Sequence, residues 1–274
     1  MKMVKIYRKS VSFSALWVST NERLSDFCAS SWQRGETPAV MLVVRLMLAA
    51  VALAILTWSL VEAPTPYWLI YLTNWGLLLV TSMTLSGLIV SVAALSNKGV
   101  GDDVKQLPWY TSMYWVLFNI SITLSIMITA LYWILLYDPE MREEMGNRAF
   151  WLDVSTHGFT SCVALAELVM SRTPVRFLHV YQPLGMGLWY AVFSAIYYAA
   201  GGTDINGNHF IYNVLDWSHG KRTSIVLAAS LAGLIIAYTF VWAVAYCRDR
   251  LSALVRTTSH DLAQAPPDRH MRFV

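Results

Sequence analysis

The sequence predicts an all-α membrane protein, a six-transmembrane-helix bundle with both termini cytoplasmic, and three observations lead to it. Of the 274 residues, 56% are hydrophobic and only 14% charged, with mean hydropathy +0.47, a departure from soluble averages toward membrane composition. Six apolar stretches reach the roughly 20 residues that a helix needs to cross a bilayer. The Lys and Arg residues between those stretches are distributed unequally, as the positive-inside rule requires.

Taken in order, residues 1–37 form a polar cytoplasmic N-terminal tail with Lys2, Lys5, Arg8 and Lys9. The tail lacks the apolar core of a signal peptide, so it is expected to stay on the chain. A membrane domain over 38–247 then carries spans at 39–61, 67–96, 109–137, 150–170, 177–200 and 224–246, and residues 248–274 form a cytoplasmic C-terminal tail. Each break has a turn signal. Ala63-Pro64-Thr65-Pro66 separates the first two spans, Asn97-Lys98-Gly99 and Gly101-Asp102-Asp103 the next two, Asp138-Pro139-Glu140 opens the following loop, and Gly201-Gly202-Thr203-Asp204 opens the longest. The second and third spans exceed the minimum, which implies tilt or extension into water. No internal repeat is visible.

Orientation follows from the basic residues. With the N-terminus inside, 15 fall on the cytoplasmic side: six in the tail, two near Lys98, Arg172 and Arg176, and five in the C-terminal tail. Only Arg142, Arg148, Lys221 and Arg222 fall opposite. Arg45 lies about 9 Å into the first span at 1.5 Å per residue, and is expected to snorkel back to cytoplasmic headgroups or, at similar depth, to pair with Glu167. Trp68, Tyr71, Trp133, Tyr137, Trp151, Tyr197 and Tyr198 fall near the outer ends of spans, as an aromatic belt does.

Composition also excludes functions. A net charge of +3 with no basic stripe argues against a nucleic-acid partner. Cys28, Cys162 and Cys247 lie far apart, without metal-ligand spacing, so neither a disulfide framework nor a metal site is expected. Asp204, Asn206 and Asn208 imitate the start of a calcium loop, but His209 and Leu215 occupy the positions where glycine and glutamate belong. Asn119-Ile120-Ser121 is a glycosylation sequon buried in mid-span, and His179 is expected at the cytoplasmic interface.

Two polar side chains at matching depth carry the candidate chemistry. Spans two and four run in the same direction, and Thr73 and His157 both lie about 9 to 11 Å below the outer boundary. A threonine hydroxyl becomes a nucleophile when a base takes its proton, and a neutral imidazole is the usual base. Asp153, one helical turn before His157, is placed to fix the imidazole tautomer. The structural alternatives are ordinary: a membrane threonine bonding a carbonyl one turn earlier, and a His157–Asp153 pair that only holds helices together.

The segments Tyr71-Leu72-Thr73-Asn74-Trp75-Gly76, Trp151-Leu152-Asp153-Val154-Ser155-Thr156-His157, Ser171-Arg172-Thr173-Pro174-Val175-Arg176 and Ile211-Tyr212-Asn213-Val214-Leu215-Asp216-Trp217 resemble the Rolling stone family of multi-span membrane proteins, named for a myoblast-fusion protein of flies. That family in turn resembles the androgen-induced membrane hydrolases and the androgen-dependent regulator of tissue factor pathway inhibitor, which cleave fatty acid esters of hydroxy fatty acids. The resemblance implies an intramembrane threonine at Thr73, after Leu72, a histidine at His157, after Trp151-Leu152, and an acid at Glu167. The hydrolases carry asparagine where this chain has Asp153, and the Rolling stone pattern has proline where this chain has Asn213, so the role of Asp153 rests on helical spacing alone.

Two functions from different classes follow. One is a cofactor-free, metal-free hydrolase of lipid esters with Thr73, His157 and Asp153 as its catalytic set. The other is a non-enzymatic membrane protein of cell adhesion or fusion, dependent on the loops around Arg142 and Asn206. The lipid bilayer is a partner in both, and plasma membrane and endoplasmic reticulum are equally compatible. The topology has a direct test: in intact cells, tags at either terminus should be protected from external protease and a tag near Asn206 cleaved. External access to a terminus refutes it.

Overall fold

The computed structural model of the chain describes residues 16–18, 22–62, 64–96, 107–137, 140 and 146–264, with backbone only over 257–264. Lys2, Lys5, Arg8, Lys9, the loop at 97–103, Asp138, Pro139 and Arg142 lie outside the described residues. The architecture is all-helical, and pairing of extended backbone among the described residues is confined to one bridge between Ser30 and Ser171.

A short helix α1 (Ser25–Cys28) precedes the long elements α2 (Ala39–Glu62), α3 (Leu72–Ser96) and α4 (Trp109–Leu131), the last continuing through a π turn at Tyr132–Leu136. Helix α5 (Asn147–Val154) runs through a second π turn, Ser155–Phe159, into α6 (Thr160–Met170). Helix α7 (Tyr181–Ala199) follows, and α8 (Gly220–Gln264) closes the chain. Among the described residues, four helices are long and apolar enough to cross a membrane: Ala39–Glu62, Leu72–Ser96, Trp109–Leu136 and Trp217–Arg256.

Helix α4 is the axle of the bundle. It packs on α3 along its length and also touches α6, α7 and α8, while α2 closes against α3 and α6. Its buried positions, among them Tyr114, Trp115, Phe118, Ile122 and Leu124, therefore surround it rather than form a stripe, as expected of a helix enclosed by others. Around them Val80, Met83, Val90, Val163, Leu168, Tyr238 and Val241 complete the core. Large apolar side chains also point outward: Val43, Leu46, Met47 and Val51 on α2, Leu188, Trp189, Val192 and Ile196 on α7, and Ile235, Ile236 and Phe240 on α8. An apolar exterior of that extent is at home in lipid and not in water.

At one end of the bundle the chain before α2 is folded into the helices. Phe27 is fully buried and stacks edge-on against Trp115. Ser31 donates to the Ser171 carbonyl at 2.8 Å, Trp32 to the Val169 carbonyl, and Arg172 to the carbonyls of Ser30 and Gln33. Arg176 pairs with Glu22 at 2.7 Å and lies over the Trp115 ring. Arg248, almost wholly buried on α8, donates to the carbonyls of Leu168 and Thr173. The Leu168 carbonyl lies in the last turn of α6, which leaves it without a helical donor, and Arg248 supplies one.

Arg45 does not snorkel. It is fully buried, with Nε and a guanidinium nitrogen on Glu167 Oε1 at 2.9 and 2.8 Å. Its remaining donors reach the Gly87 carbonyl, the Ser91 hydroxyl and the Tyr114 hydroxyl, and Tyr114 in turn donates to Glu167 at 2.5 Å. Five hydrogen bonds to four partners inside the bundle replace the headgroups that snorkelling would have reached, so the depth of Arg45 no longer bears on orientation. A Cβ at Gly87 would sit 2.9 Å from the Tyr114 ring and 3.1 Å from Arg45 Nε, so a bare backbone is needed for the guanidinium to pass. His179 also departs from expectation. It is fully buried, 4.8 Å from the Trp115 ring, and its Nδ1 lies 3.1 Å from Asn119 Nδ2, a partner that makes burial tolerable.

The ion pair predicts an asymmetry. Glu167→Ala strands a buried guanidinium and should cost about 3–5 kcal/mol, read as a lower unfolding midpoint in detergent micelles. The double variant Arg45→Met/Glu167→Leu removes both charges and should lie well above either single variant. Equal losses for single and double variants would show that the pair is not the cause.

Candidate functional site

The opposite end of the bundle holds a second polar centre, beneath the connection from α7 to α8. Thr73 is the second residue of α3, because Tyr71 leaves the preceding 3₁₀ turn, Trp68–Ile70, in extended conformation before the helix begins. His157 lies inside the π turn between α5 and α6. Thr73 Oγ1 is 3.1 Å from His157 Nε2. On the far side of the ring, Nδ1 is 3.0 Å from Asp153 Oδ1 and 3.0 Å from the Asp153 carbonyl, with Thr156 Oγ1 at 3.2 Å. Thr156 spends its own proton on the carbonyls of Leu152 and Asp153. Every neighbour of Nδ1 is thus an acceptor. That assigns the proton of the neutral ring to Nδ1 and leaves the Nε2 lone pair facing the threonine hydroxyl.

Two π turns face each other here. Tyr132, the first residue of the turn ending α4, lays its ring flat on His157, 3.6 Å between centroids and 11° between planes, and donates its hydroxyl to Asp153 Oδ2. Both carboxylate oxygens of Asp153 are therefore engaged, one by the imidazole and one by the phenol. Widening a helix to π geometry disturbs its carbonyl ladder, and such turns recur at functional sites. The carbonyl of His157 takes a hydrogen bond from Thr129 Oγ1 at 2.6 Å, and Thr129 is within 2.6 Å of Ser161 Oγ. The imidazole is held at both nitrogens and on one face, and its main chain by Thr129.

The connection 200–219 supplies a cover. Tyr212 accepts a hydrogen bond from the Leu72 amide at 2.9 Å, which seats it beside Thr73 at the cleft. Tyr190 donates to the Ile70 carbonyl at 2.8 Å. Asp204 closes the loop by accepting from the amides of Asn206 and Asn208 and the Asn208 side chain. Farther along, Asp216 accepts from the Ser218 hydroxyl, His219 Nδ1 and the Ser218 amide, which hold its carboxyl below the ordinary value. Beneath this cover Thr73 opens on an apolar cleft of about 510 Å³, its mouth included, walled by Leu131, Tyr132, Leu135, Tyr212, Leu215 and Val226.

The structure thus brings Thr73, His157 and Asp153 together. Glu167 lies with Arg45 at the other end, and Asn74 turns away to donate to the Trp68 carbonyl at 2.6 Å. Sequence reasoning did not reach Tyr132, Thr129 or Tyr212. Tyr132 and Thr129 read as ordinary residues of an apolar span. Tyr212 lay within a loop segment that carried family resemblance but no spacing to place it. Among the described residues no cluster of three or more metal-ligating side chains occurs.

Fold and site define an integral membrane protein of helical type with a partly buried Thr–His–carboxylate constellation. The chain belongs to the Rolling stone family: the family model described as Protein rolling stone matches residues 2–260. It is similar to Protein rolling stone of Drosophila melanogaster, 26% identical over 232 residues that cover 82% of each chain. No solved structure matches it.

The cover has its own test. Because its folded pKa is depressed, Asp216 contributes fully above the usual carboxylate value of about 3.9 and loses its contribution as pH falls through the lower folded value. Asp216→Ala should lower the protection of the Ser218 and His219 amides against hydrogen exchange, relative to their intrinsic rates, at neutral pH, and acidification should lower it likewise in the wild type. Unchanged exchange in the variant would show that Asp216 does not hold this turn.

Proposed function

We propose that the chain crosses the bilayer six times with both termini in the cytosol, and that it hydrolyses lipid esters such as fatty acid esters of hydroxy fatty acids. The bias of Lys and Arg supports the topology, as does the length of the α5–α6 helix, about 36 Å for the 24 residues of Asn147–Met170. One observation carries the reaction: a threonine hydroxyl 3.1 Å from an imidazole nitrogen, with that ring's other nitrogen 3.0 Å from a carboxylate, opening on an apolar cleft.

Chemically, Thr73 Oγ1 attacks the ester carbonyl carbon while its proton passes to His157 Nε2. Asp153 keeps the ring in the required tautomer and stabilises the imidazolium that forms. Tyr132 fixes Asp153 and shields the ring face, which prevents the carboxylate from swinging away. Tyr212, which lines the cleft together with Thr73, offers a hydroxyl to the developing oxyanion. His157 then protonates the departing alkoxide, which leaves an acyl-threonine. Water, deprotonated by the same ring, attacks the acyl carbon, and the threonine hydroxyl is restored as the fatty acid leaves.

Thr73→Ala and His157→Ala should each abolish hydrolysis of a fatty acid ester of a hydroxy fatty acid by the purified protein, with normal amounts reaching the membrane. Thr73→Ser should retain part of the activity, and Asp153→Asn should be milder than either alanine variant because the amide oxygen still accepts from Nδ1. Tyr212→Phe should lower kcat about tenfold or more with little change in KM. Equal hydrolysis by wild type and both alanine variants, or none by folded wild type across several lipid esters, would favour a non-enzymatic role in adhesion or fusion.

A further inference from the structure

The cleft at Thr73 does not end there. Leu72, Leu131, Leu215 and Ser230 also wall a second space, about 530 Å³ with its open part included, which continues between α4, α7 and α8 to Leu124, Gly187 and Leu234. Leu131 and Leu124 are seven residues apart on α4, so the combined trough descends about 10 Å along the bundle from the site. Its lining is almost wholly aliphatic, and the Tyr190 hydroxyl that borders it is occupied by the Ile70 carbonyl. The opposite end of the cleft widens toward Leu135 and Leu136, whose side chains are exposed on the bundle's flank. One end is therefore an apolar well between α4, α7 and α8, and the other faces the surrounding lipid.

We infer that this trough is the acyl-chain site: a single saturated or monounsaturated chain lies along α4 with its carbonyl at Thr73 and its methyl end at Leu124 and Leu234, while the alcohol portion of the ester stays at the mouth beside Leu135 and Leu136. The inference rests on the hydrolase reading for its carbonyl and on the trough for its chain. Polar headgroups have no partner in the well, so the chain that enters is the unbranched apolar one. Gly187 and Leu234 set its depth. A Cβ at Gly187 would come within 2.6 Å of Leu234 Cδ1, so the lack of a side chain there fixes how far Leu234 can withdraw. Ser230, half-buried, borders both spaces, so a bulky side chain there would stand between them.

Opposed variants test it. Purified wild type, Ser230→Phe and Leu234→Ala are compared on p-nitrophenyl esters from acetyl to hexadecanoyl, with unfolding midpoints as the check on folding. Ser230→Phe should lower the ratio of long-chain to short-chain turnover about tenfold or more, and Leu234→Ala should move the preferred chain to a longer one. In parallel, a fatty acid with a terminal diazirine is photolysed on each protein and the attachment sites are mapped. Wild type should label at Leu124, Met127 or Leu231, and Ser230→Phe should lose that label. Hydrolysis with an unchanged chain-length profile in both folded variants overturns the trough and leaves the hydrolase reading intact. Labelling in the well without hydrolysis of any ester supports the chain site and overturns the hydrolase. Labelling confined to the exterior of α2 or α7 overturns the inference by itself.

Discussion

A charge with no water to solvate it must be neutralised where it stands, and the pair Arg45–Glu167 imposes that condition on most of the bundle. The guanidinium comes from α2 and the carboxylate from α6, while α3 provides a carbonyl at Gly87 and a hydroxyl at Ser91, and α4 provides Tyr114. Four helices must be in register before either charge is tolerable. Among the described residues Oε2 of Glu167 has no hydrogen-bond partner, so the carboxylate is bound there through one oxygen, on which three donors converge. The close approach at Gly87 and the packing of α6 against both α2 and α4 follow from the same requirement.

With one end fixed in this way, the other can support an irregular backbone. Both π turns lie at the end remote from the ion pair, where α4 and α5 would otherwise continue as plain helices. Each widened turn disturbs the local carbonyl pattern. The hydroxyls of Thr129, Ser155, Thr156 and Thr160 all bond to main-chain carbonyls in or near that region. Within apolar surroundings such satisfaction is obligatory. Its result is an imidazole whose position is set by stacking, by its neighbours' carbonyls and by a carboxylate, and whose one open nitrogen meets Thr73.

The two polar centres differ in a way that bears on function. Around Arg45 the charges are sealed from the surface. The His157 centre is only partly buried, borders a cleft and is covered by a loop segment rather than a helix. A cluster that serves only to hold helices together has no need of such an opening, and the first centre shows what the sealed form looks like in the same protein.

By itself the sequence determined the membrane class, because an apolar exterior of this extent is compatible only with lipid, and it determined which residues were too costly to be incidental: Thr73, Asp153, His157, Arg45 and Glu167. Depth along a helix follows from counting at 1.5 Å per residue, so residues that share a level were legible. Azimuth was not, since the helices are apolar nearly all round and carry no face that announces its neighbour. Tertiary structure alone decided that Arg45 turns inward to Glu167 instead of outward to headgroups, that His179 is buried on Asn119, and that residues 22–37 pack into the bundle. It alone could also reveal Tyr132 and Tyr212, because a π turn and a loop crossing over a helix end arise from contacts between distant segments, and no local spacing encodes them.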